Sequence, residues 1–155
     1  EETLQGVLNY THTKMRMDIY KLEDNILVID DTYNANPDSM KSLIDTVEKA
    51  TNKENKVLIL GDMFELGEDS IKLHEEVLNY AWSKEIDLIL ITGENMKEAS
   101  RKISDDKIIC YNTKEELIAN LDKVMKESTV IACKASRGMK FENITDRLIE
   151  MNNSL

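Results

Sequence analysis

The stretch ILVIDDTYNANPDSM, residues 26–40, decides the fold of this chain. An apolar run ends in two aspartates, Asp30 and Asp31, and a polar loop then leads into a helix that starts at Pro37. Asn36 is the expected N-cap, because its side chain can accept a backbone hydrogen bond from the first helical turn. A buried strand that carries polar groups to a helix N-terminus is where open α/β sheets bind their ligands. The stretch therefore predicts a strand, a ligand-binding loop and a helix in succession.

Strand and helix patterns alternate along the rest of the chain. Residues 15–22 alternate between apolar and polar and predict a half-buried strand, which pairs with residues 26–29 as an antiparallel hairpin. The remaining apolar strands are predicted at residues 56–60, 87–92, 107–111 and 129–133. The helices that follow them are predicted at about residues 69–84, 95–103, 114–125 and 140–151. The expected fold class is α/β: a three-layer, Rossmann-like, mostly parallel sheet of about six strands, with one antiparallel strand and helices on both faces.

The size and charge of the chain narrow the classes of protein and partner. The 155 residues fit one domain, and the formal net charge of −10 argues against a nucleic-acid backbone or an anionic membrane as the main partner. Cys110 and Cys133 lie in apolar strand patterns, which predicts buried, reduced thiols in a cytosolic protein. Because the chain opens at Glu1 within a helical pattern, we expect a domain of a longer protein. Residues 1–12 would be a linker or short helix from a preceding domain, and residues 13–155 the domain itself.

Polar residues follow every predicted strand, and in a parallel sheet they share one edge. In chain order these residues are Asp30, Asp31, Tyr33, Asn34, Asn36, Gly61, Asp62, Thr92, Gly93, Asn112, Thr113, Lys134, Ser136 and Arg137. Such residues often only form turns or cap helices. Thr113, with Glu116 three residues later, is best explained in this way as a capping box. Turn formation or helix capping explains Asp30 and Asp31 less well, because adjacent buried carboxylates repel each other and gain little from capping.

A phosphoacceptor receiver domain is one function that this edge allows. Asp30 and Asp31 would then bind Mg²⁺, Asp62 would accept the phosphoryl group, Thr92 would be the switch hydroxyl, and Lys134 would contact the phosphate. Three features count against this hypothesis: no proline follows the lysine, the YNANP loop has no role, and an extra antiparallel strand precedes the acidic pair.

Sequence motifs for phosphate or metal binding are missing from the 155 residues. There is no G-x-x-x-x-G-K-[ST] loop and no G-x-G-x-x-G after a strand. His12 and His74 have no partner ligands at the spacing of a metal site, so no metal ligand is assigned. The residues alone therefore support a ligand-binding α/β domain without a complete active site.

Three stretches are similar to signature sequences of one protein family. They are DDTYNANPDSM at residues 30–40, LGDMFELGEDS at residues 60–70 with His74 just after, and KASRGMKFE at residues 134–142. Their order and spacing, together with Arg16 in the preceding MRM stretch, resemble the carboxyl-terminal domain of the Mur ligases, in the branch that adds D-alanyl-D-alanine (D-Ala-D-Ala). The resemblance covers nearly the whole chain, and YNANP and LGDM-ELG are its most specific parts.

The resemblance implies an ATP-dependent amide ligation in the synthesis of peptidoglycan precursors. In this family ATP phosphorylates the terminal carboxylate of UDP-MurNAc-tripeptide, and the amine of D-Ala-D-Ala then attacks the acyl phosphate. The first of three domains holds the UDP sugar, and the central domain carries the P-loop and the Mg²⁺ ligands. The third domain, which this chain resembles, closes over ATP and brings in the dipeptide. The implied enzyme is cytoplasmic and monomeric, and this chain alone is expected to be inactive.

The resemblance also implies roles for individual residues. Arg16 is the expected catalytic residue, since a guanidinium can stabilise charge on the ATP phosphates. The residues expected to bind the nucleotide are Arg16, Asp31, Tyr33, Asn34 and Asn36, with Asp31 preferred to Asp30 as the acceptor from the ribose. The residues expected to bind the anionic dipeptide are Lys134, Ser136 and Arg137.

The sequence departs from the family pattern at two positions and leaves two signature residues without a chemical role. Met15 and Ala135 stand where the family often has glycine, and both changes leave the neighbouring Arg16 and the following serine in place. For Asp62 and His74 we assign no chemistry, and a loop-bracing role is at least as well supported.

Overall fold

A computed structural model describes residues 17–153 and contains one six-stranded sheet between two layers of helices. The strands are β1 (Asp18–Leu22), β2 (Ile26–Asp30), β3 (Asn55–Leu60), β4 (Leu88–Thr92), β5 (Ile108–Tyr111) and β6 (Thr129–Lys134). The helices are α1 (Pro37–Glu48), α2 (Ser70–Trp82), α3 (Glu94–Ser100), α4 (Lys114–Ile118) and α5 (Glu142–Asn153). The predicted α/β class is confirmed. The helix considered for residues 1–12 lies outside the described residues, as do positions 15 and 16 of the first predicted strand.

The strand order is β1-β2-β6-β3-β4-β5, and β6 lies in the middle of the sheet. The predicted hairpin is confirmed, since β1 pairs antiparallel with β2 while every other neighbouring pair is parallel. Asp24 and Asn25 form its turn with φ angles of 60° and 58°, a left-handed conformation that these two residue types tolerate well.

Strand residues alternate between two cores, one on each face of the sheet. In β3, Leu58 and Leu60 pack against α1, α2 and α3, whereas Val57 and Ile59 pack against α4 and α5. The loops after β2 and β3 therefore lead to one face and the loop after β6 leads to the other. Loops that part in this way leave a crevice at the carboxyl edge, which is the usual ligand position in an open α/β sheet.

The fourth helix is shorter than the pattern predicts. It ends at Ile118 and is followed by a separate 3₁₀ turn over Leu121–Lys123, although the apolar spacing continues to Met125. The side-chain amide of Asn120 donates to the Glu116 carbonyl at 2.8 Å, and its backbone N–H donates to the Leu117 carbonyl at 3.0 Å. This local bonding ends the α-helical ladder, and the later apolar residues still reach the core through the 3₁₀ turn.

The capping box at Thr113 forms only in part. The Thr113 hydroxyl accepts a hydrogen bond from the Glu116 backbone N–H at 3.0 Å, as predicted. The Glu116 carboxylate accepts from the N–H of Asn112 at 3.1 Å, one residue before the expected donor. Thr113 is therefore a helix cap.

No helix within residues 17–153 is long and apolar enough to cross a bilayer.

Candidate functional site

A buried ion pair joins the carboxyl ends of β2 and β6. The Asp31 backbone N–H donates to the Cys133 carbonyl at 3.0 Å and holds the two chain segments side by side. Lys134 Nζ lies 3.0 Å from Asp31 Oδ2 and 2.8 Å from the Asn34 carbonyl oxygen. The two charged side chains are only 4% and 13% exposed, for Lys134 and Asp31 respectively. Charges removed from water to this extent require such partners.

Asp30 has a different environment from Asp31. It lies opposite Asp18 in the hairpin, and its Oδ1 accepts a hydrogen bond from the Thr32 hydroxyl at 2.6 Å. Burial raises the pKa of the Asp30 carboxyl above its ordinary value, and the nearby Asp18 carboxylate raises it further. Asp30 borders neither of the cavities described next, so the two adjacent aspartates are separated by the alternation of the strand.

The first cavity, which we call the Asp31 cavity, has a volume of about 330 Å³. It is lined by Met17, Asp31, Asn34, Asn36, Ser39, Ser42, Leu43 and Lys134. The N-terminus of α1 forms part of its wall. The predicted N-cap is confirmed, because Asn36 Oδ1 accepts from the Ser39 N–H at 2.8 Å and Ser39 Oγ accepts from the Asn36 N–H at 3.0 Å.

The second cavity, which we call the Arg137 cavity, has a volume of about 440 Å³. It is lined by Asn34, Ala35, Asn36, Phe64, Glu65, Leu66, Ser136, Arg137 and Gly138. The buried Ser136 hydroxyl accepts a hydrogen bond from the Phe64 N–H at 2.7 Å. The exposed Arg137 guanidinium lies 4.8 Å from the centre of the Tyr33 ring, which is a cation–π geometry.

Asn34 and Asn36 border both cavities, and we call residues 34–36 the shared wall. The structure brings together all the predicted site residues that lie within residues 17–153. Asp31 and Lys134 lie at the first cavity and Ser136 and Arg137 at the second, with Tyr33 beneath the guanidinium. Arg16, the predicted catalytic residue, lies outside the described residues.

Asp62 and His74 brace the loops after β3 and β4. Asp62 accepts three hydrogen bonds of 2.8–3.1 Å, from the backbone N–H groups of Asn95 and Met96 and from the Asn95 side chain. His74 Nε2 accepts from the Met63 N–H at 2.9 Å, and Nδ1 lies 2.6 Å from the Ser70 carbonyl oxygen. The carbonyl accepts, so Nδ1 carries the proton. Both side chains are buried, and their hydrogen bonds connect the loop after β3 to the start of α2 and of α3.

This geometry does not support the receiver hypothesis. The Asp62 carboxylate is fully engaged as a helix cap, and Lys134 bonds Asp31 instead of reaching it. The Thr92 hydroxyl is buried and donates to the Tyr111 carbonyl at 2.9 Å. Residues 17–153 hold no group of three histidine, cysteine or acidic side chains that could bind a metal.

Two features of the site were missed at the sequence level. The Phe64 ring is 43% exposed and forms a wall of the Arg137 cavity, and a Cβ on Gly138 would come within 2.6 Å of it. The phenylalanine within LGDMFELG was the available signal, but nothing local shows which residue it faces. The Tyr33–Arg137 contact joins residues 104 positions apart and leaves no local pattern at all.

The two cysteines are free, as predicted. Cys133 is fully buried in β6, and desolvation raises the pKa of its thiol to about 12. Cys110 was also predicted to be buried but is only half-buried, and this partial burial raises the pKa of its thiol as well. Neither thiol is activated as a nucleophile.

The fold agrees with comparisons to known proteins. The family described as Mur ligase, glutamate ligase domain, matches residues 15–137, and the chain therefore belongs to the Mur ligase family. A UDP-N-acetylmuramoyl-tripeptide–D-alanyl-D-alanine ligase of Bacillus subtilis (strain 168) is 32% identical over 154 residues, which cover 97% of this chain and 34% of that protein. The resemblance to the D-Ala-D-Ala-adding branch is thereby confirmed.

Solved structures give the same result. MurF from Acinetobacter baumannii superposes with a TM-score of 0.80 at 26% identity, over 94% of this chain and 33% of that one. A MurF ligase from Thermotoga maritima, solved in complex with ADP, has a TM-score of 0.78 at 23% identity, over 94% of this chain and 33% of that one. The chain spans about a third of the length of the relatives it matches.

Proposed function

We propose that this chain is the carboxyl-terminal domain of an ATP-dependent ligase that adds D-Ala-D-Ala to UDP-MurNAc-tripeptide in peptidoglycan precursor synthesis. The observation that carries the proposal is the pair of cavities on either side of the shared wall, one with a carboxylate and the other with an exposed guanidinium. A ligase that uses both ATP and an incoming dipeptide needs adjoining sites for these two molecules. The name of the Bacillus subtilis relative and the ADP in the Thermotoga maritima structure support the choice of substrates.

The Asp31 cavity is the proposed nucleotide side. The Asp31 carboxylate would accept hydrogen bonds from the ribose hydroxyls, because its second oxygen is not used by Lys134. Asn34 and Asn36 line this cavity and would shape this side of the cleft, whereas Tyr33, which was also expected here, contacts Arg137 at the other cavity. Arg16 would contact the ATP phosphates and stabilise the charge that develops on the transferring phosphoryl group.

The Arg137 cavity is the proposed dipeptide side. Arg137 would bind the carboxylate of D-Ala-D-Ala through two parallel hydrogen bonds, which a guanidinium forms with good geometry. The Ser136 hydroxyl already accepts from Phe64, and within residues 17–153 its own proton has no acceptor, so it can donate to the same carboxylate. The Phe64 ring would contact the alanine methyl groups.

Other domains complete the proposed enzyme. Residues 1–12 would be the linker, and residues 13–155 the domain that closes over ATP. An amino-terminal domain would hold the UDP sugar, and a central domain would supply the ligands of Mg²⁺ and the P-loop, whose motif the 155 residues lack. ATP would activate the tripeptide carboxylate as an acyl phosphate, which the dipeptide amine then attacks. The enzyme would work in the cytoplasm as a monomer.

The reaction is tested by incubating the full-length protein with ATP, Mg²⁺, UDP-MurNAc-tripeptide and D-Ala-D-Ala while ADP release and product mass are measured. We expect ADP release that depends on the dipeptide, and no turnover when D-glutamate replaces it. The 155-residue chain alone should release no ADP. Turnover with D-glutamate and not with the dipeptide would contradict the proposed substrate.

Arg137→Ala tests the proposed dipeptide side. The KM for D-Ala-D-Ala should rise roughly tenfold or more, because a charge-assisted pair with the carboxylate is lost. The KM for ATP should change little. Arg101→Ala is the matched control, since Arg101 is also exposed and, among the residues that the structure describes, pairs only with Glu98 of α3, at 3.2 Å. A rise confined to ATP would contradict this assignment.

A further inference from the structure

Lys134 is a buried cation, and within residues 17–153 its ammonium bonds only the loop after β2. Its backbone lies in the centre of the sheet, where it pairs with Leu60 of β3. Its ammonium bonds the Asp31 carboxylate at 3.0 Å and the Asn34 carbonyl at 2.8 Å. The strand β6 therefore anchors the backbone of Lys134, and the ammonium at the end of its side chain binds the irregular loop after β2.

The Asn34 carbonyl depends on this contact. Within residues 17–153, the Lys134 ammonium is its only hydrogen-bond donor. The neighbouring Ala35 N–H donates to the side-chain oxygen of Asn34 at 2.9 Å instead. Asn34 lies between β2 and α1, where neither a strand ladder nor a helical bond fixes the backbone. Without the ammonium, the carbonyl and the buried carboxylate would both lose their donor.

We propose that Lys134 is a positioning residue that fixes the shared wall, and that it does not bind the incoming dipeptide directly. Lys134 lines the Asp31 cavity and is absent from the lining of the Arg137 cavity, where Ser136 and Arg137 lie. Its charge is already paired with the Asp31 carboxylate, and two of its three protons are used, so only one proton remains for any other acceptor. This differs from the role that the family resemblance implies for Lys134, and it rests on the proposed function for its two substrates.

The KM values for the two substrates distinguish a positioning role of Lys134 from direct binding of the dipeptide. Because Asn34 and Asn36 border both cavities, a displaced wall changes the nucleotide site and the dipeptide site together. In the full-length ligase, Lys134→Met should raise the KM for ATP and the KM for D-Ala-D-Ala each by roughly tenfold. A rise for the dipeptide alone, or for neither substrate, would overturn the proposal. Lys97→Met is the control, because the exposed ammonium of Lys97 bonds only Asn112 within residues 17–153, at 3.0 Å.

A second pair of variants covers the possibility that Lys134→Met fails to fold with Asp31 left unpaired. Asp31→Asn removes the negative charge, and the double variant Asp31→Asn, Lys134→Met removes both charges together. The double variant should still have a higher KM for D-Ala-D-Ala than Asp31→Asn, because the Asn34 carbonyl has lost its donor. Equal KM values for the dipeptide in these two proteins would overturn the proposal.

Hydrogen exchange on the 155-residue chain tests the positioning without any substrate. The N–H groups of Ala35 and Asn36 have acceptors at 2.9 and 3.0 Å, so their exchange reports the order of the shared wall. Lys134→Met should accelerate both by tenfold or more, and Lys97→Met should leave them unchanged. Unchanged exchange in Lys134→Met would overturn the positioning role. A full-length protein that shows no dipeptide-dependent turnover would instead overturn the proposed function and leave this readout intact.

Discussion

Two parts of the carboxyl edge of the sheet carry similar polar residues but use them differently. One part is formed by β3 and β4, and the other by β2 and β6. At β3 and β4, the buried Asp62 accepts three hydrogen bonds that join two loops to the start of α3. At β2 and β6, the buried Asp31 pairs with Lys134 and still borders a cavity of about 330 Å³. Both aspartates follow a central strand, and their burial is similar.

The difference shows that an acidic residue at a strand end indicates a site only when it retains bonding capacity toward open space. Asp62 directs both oxygens at backbone N–H groups of the protein itself, and Gly93 lies directly against it. Asp31 gives one oxygen to Lys134, and its other oxygen is not used by that bond, while the residue lines the cavity. The first edge is therefore a brace and the second a candidate binding surface. The following variants test this contrast.

Replacement of the bracing carboxylate should have the largest effect. Asp62→Ala should lower the free energy of unfolding by about 3 kcal/mol, because three donors at the start of α3 lose their acceptor. Asp69→Ala is the matched control, since Asp69 is the N-cap of α2 but makes no side-chain bond there. Urea unfolding of the 155-residue chain measures both. Equal losses in the two variants would contradict the bracing role.

Replacement of Gly93, which packs against Asp62, should have the second-largest effect on stability. Gly93 has φ 117° and ψ 150°, and a Cβ there would lie 2.3 Å from Asp62 Oδ1. Gly93→Ala should therefore destabilise the chain by about 2–3 kcal/mol. Gly67→Ala, at φ 72° with open space around it, should lose only about 1 kcal/mol. Thermal unfolding of both variants checks the order, and a reversed order would show that Asp62 does not define this contact.

At the other edge, replacement of Tyr33 should change binding and not stability. Tyr33→Leu should raise the KM for D-Ala-D-Ala by about threefold in the full-length ligase, because the Arg137 guanidinium loses its cation–π partner. Tyr33→Phe keeps the ring and should stay close to the unsubstituted enzyme. Initial rates at varied dipeptide concentration give both values. An equal rise in the two variants would assign the effect to the hydroxyl instead.

The smallest effect is expected for Asp30 and should depend on pH. Burial raises the pKa of Asp30 from its ordinary value of 3.8, so the ionised carboxylate destabilises the folded chain at pH 7. That penalty is fully present above the raised folded pKa and disappears as the pH falls through it toward 3.8. Asp30→Asn should thus slightly increase stability at neutral pH, while its amide oxygen can still accept from Thr32.

Asp31→Asn is the comparison for this last variant and should change stability in the opposite direction. It replaces the charged partner of the buried Lys134 with a neutral amide and should destabilise the chain at pH 7. Urea unfolding at neutral pH and below pH 4 measures both variants. The same sign of change in both would contradict the separation of the two aspartates by the strand.

Local signals in the sequence predicted most of the architecture. The six strands and the antiparallel hairpin were predicted because apolar runs are bounded by turn residues, and the Asn36 cap because its chemistry acts within three residues. The fourth helix was predicted too long, because periodicity does not show that the Asn120 side chain takes the Glu116 carbonyl. The residues at the carboxyl edge were also identified, since parallel strands place their ends together.

The sequence by itself determined the fold class and the set of candidate residues, because the period of apolar residues and the chemistry of caps act over a few positions. Only the tertiary structure decided which of these residues contact each other. Lys134 meets Asp31 across 103 positions, and Asp62 meets Asn95 across 33. Such contacts depend on the strand order that places β6 between β2 and β3. That order separates the aspartate that braces a loop from the aspartate that borders a cavity.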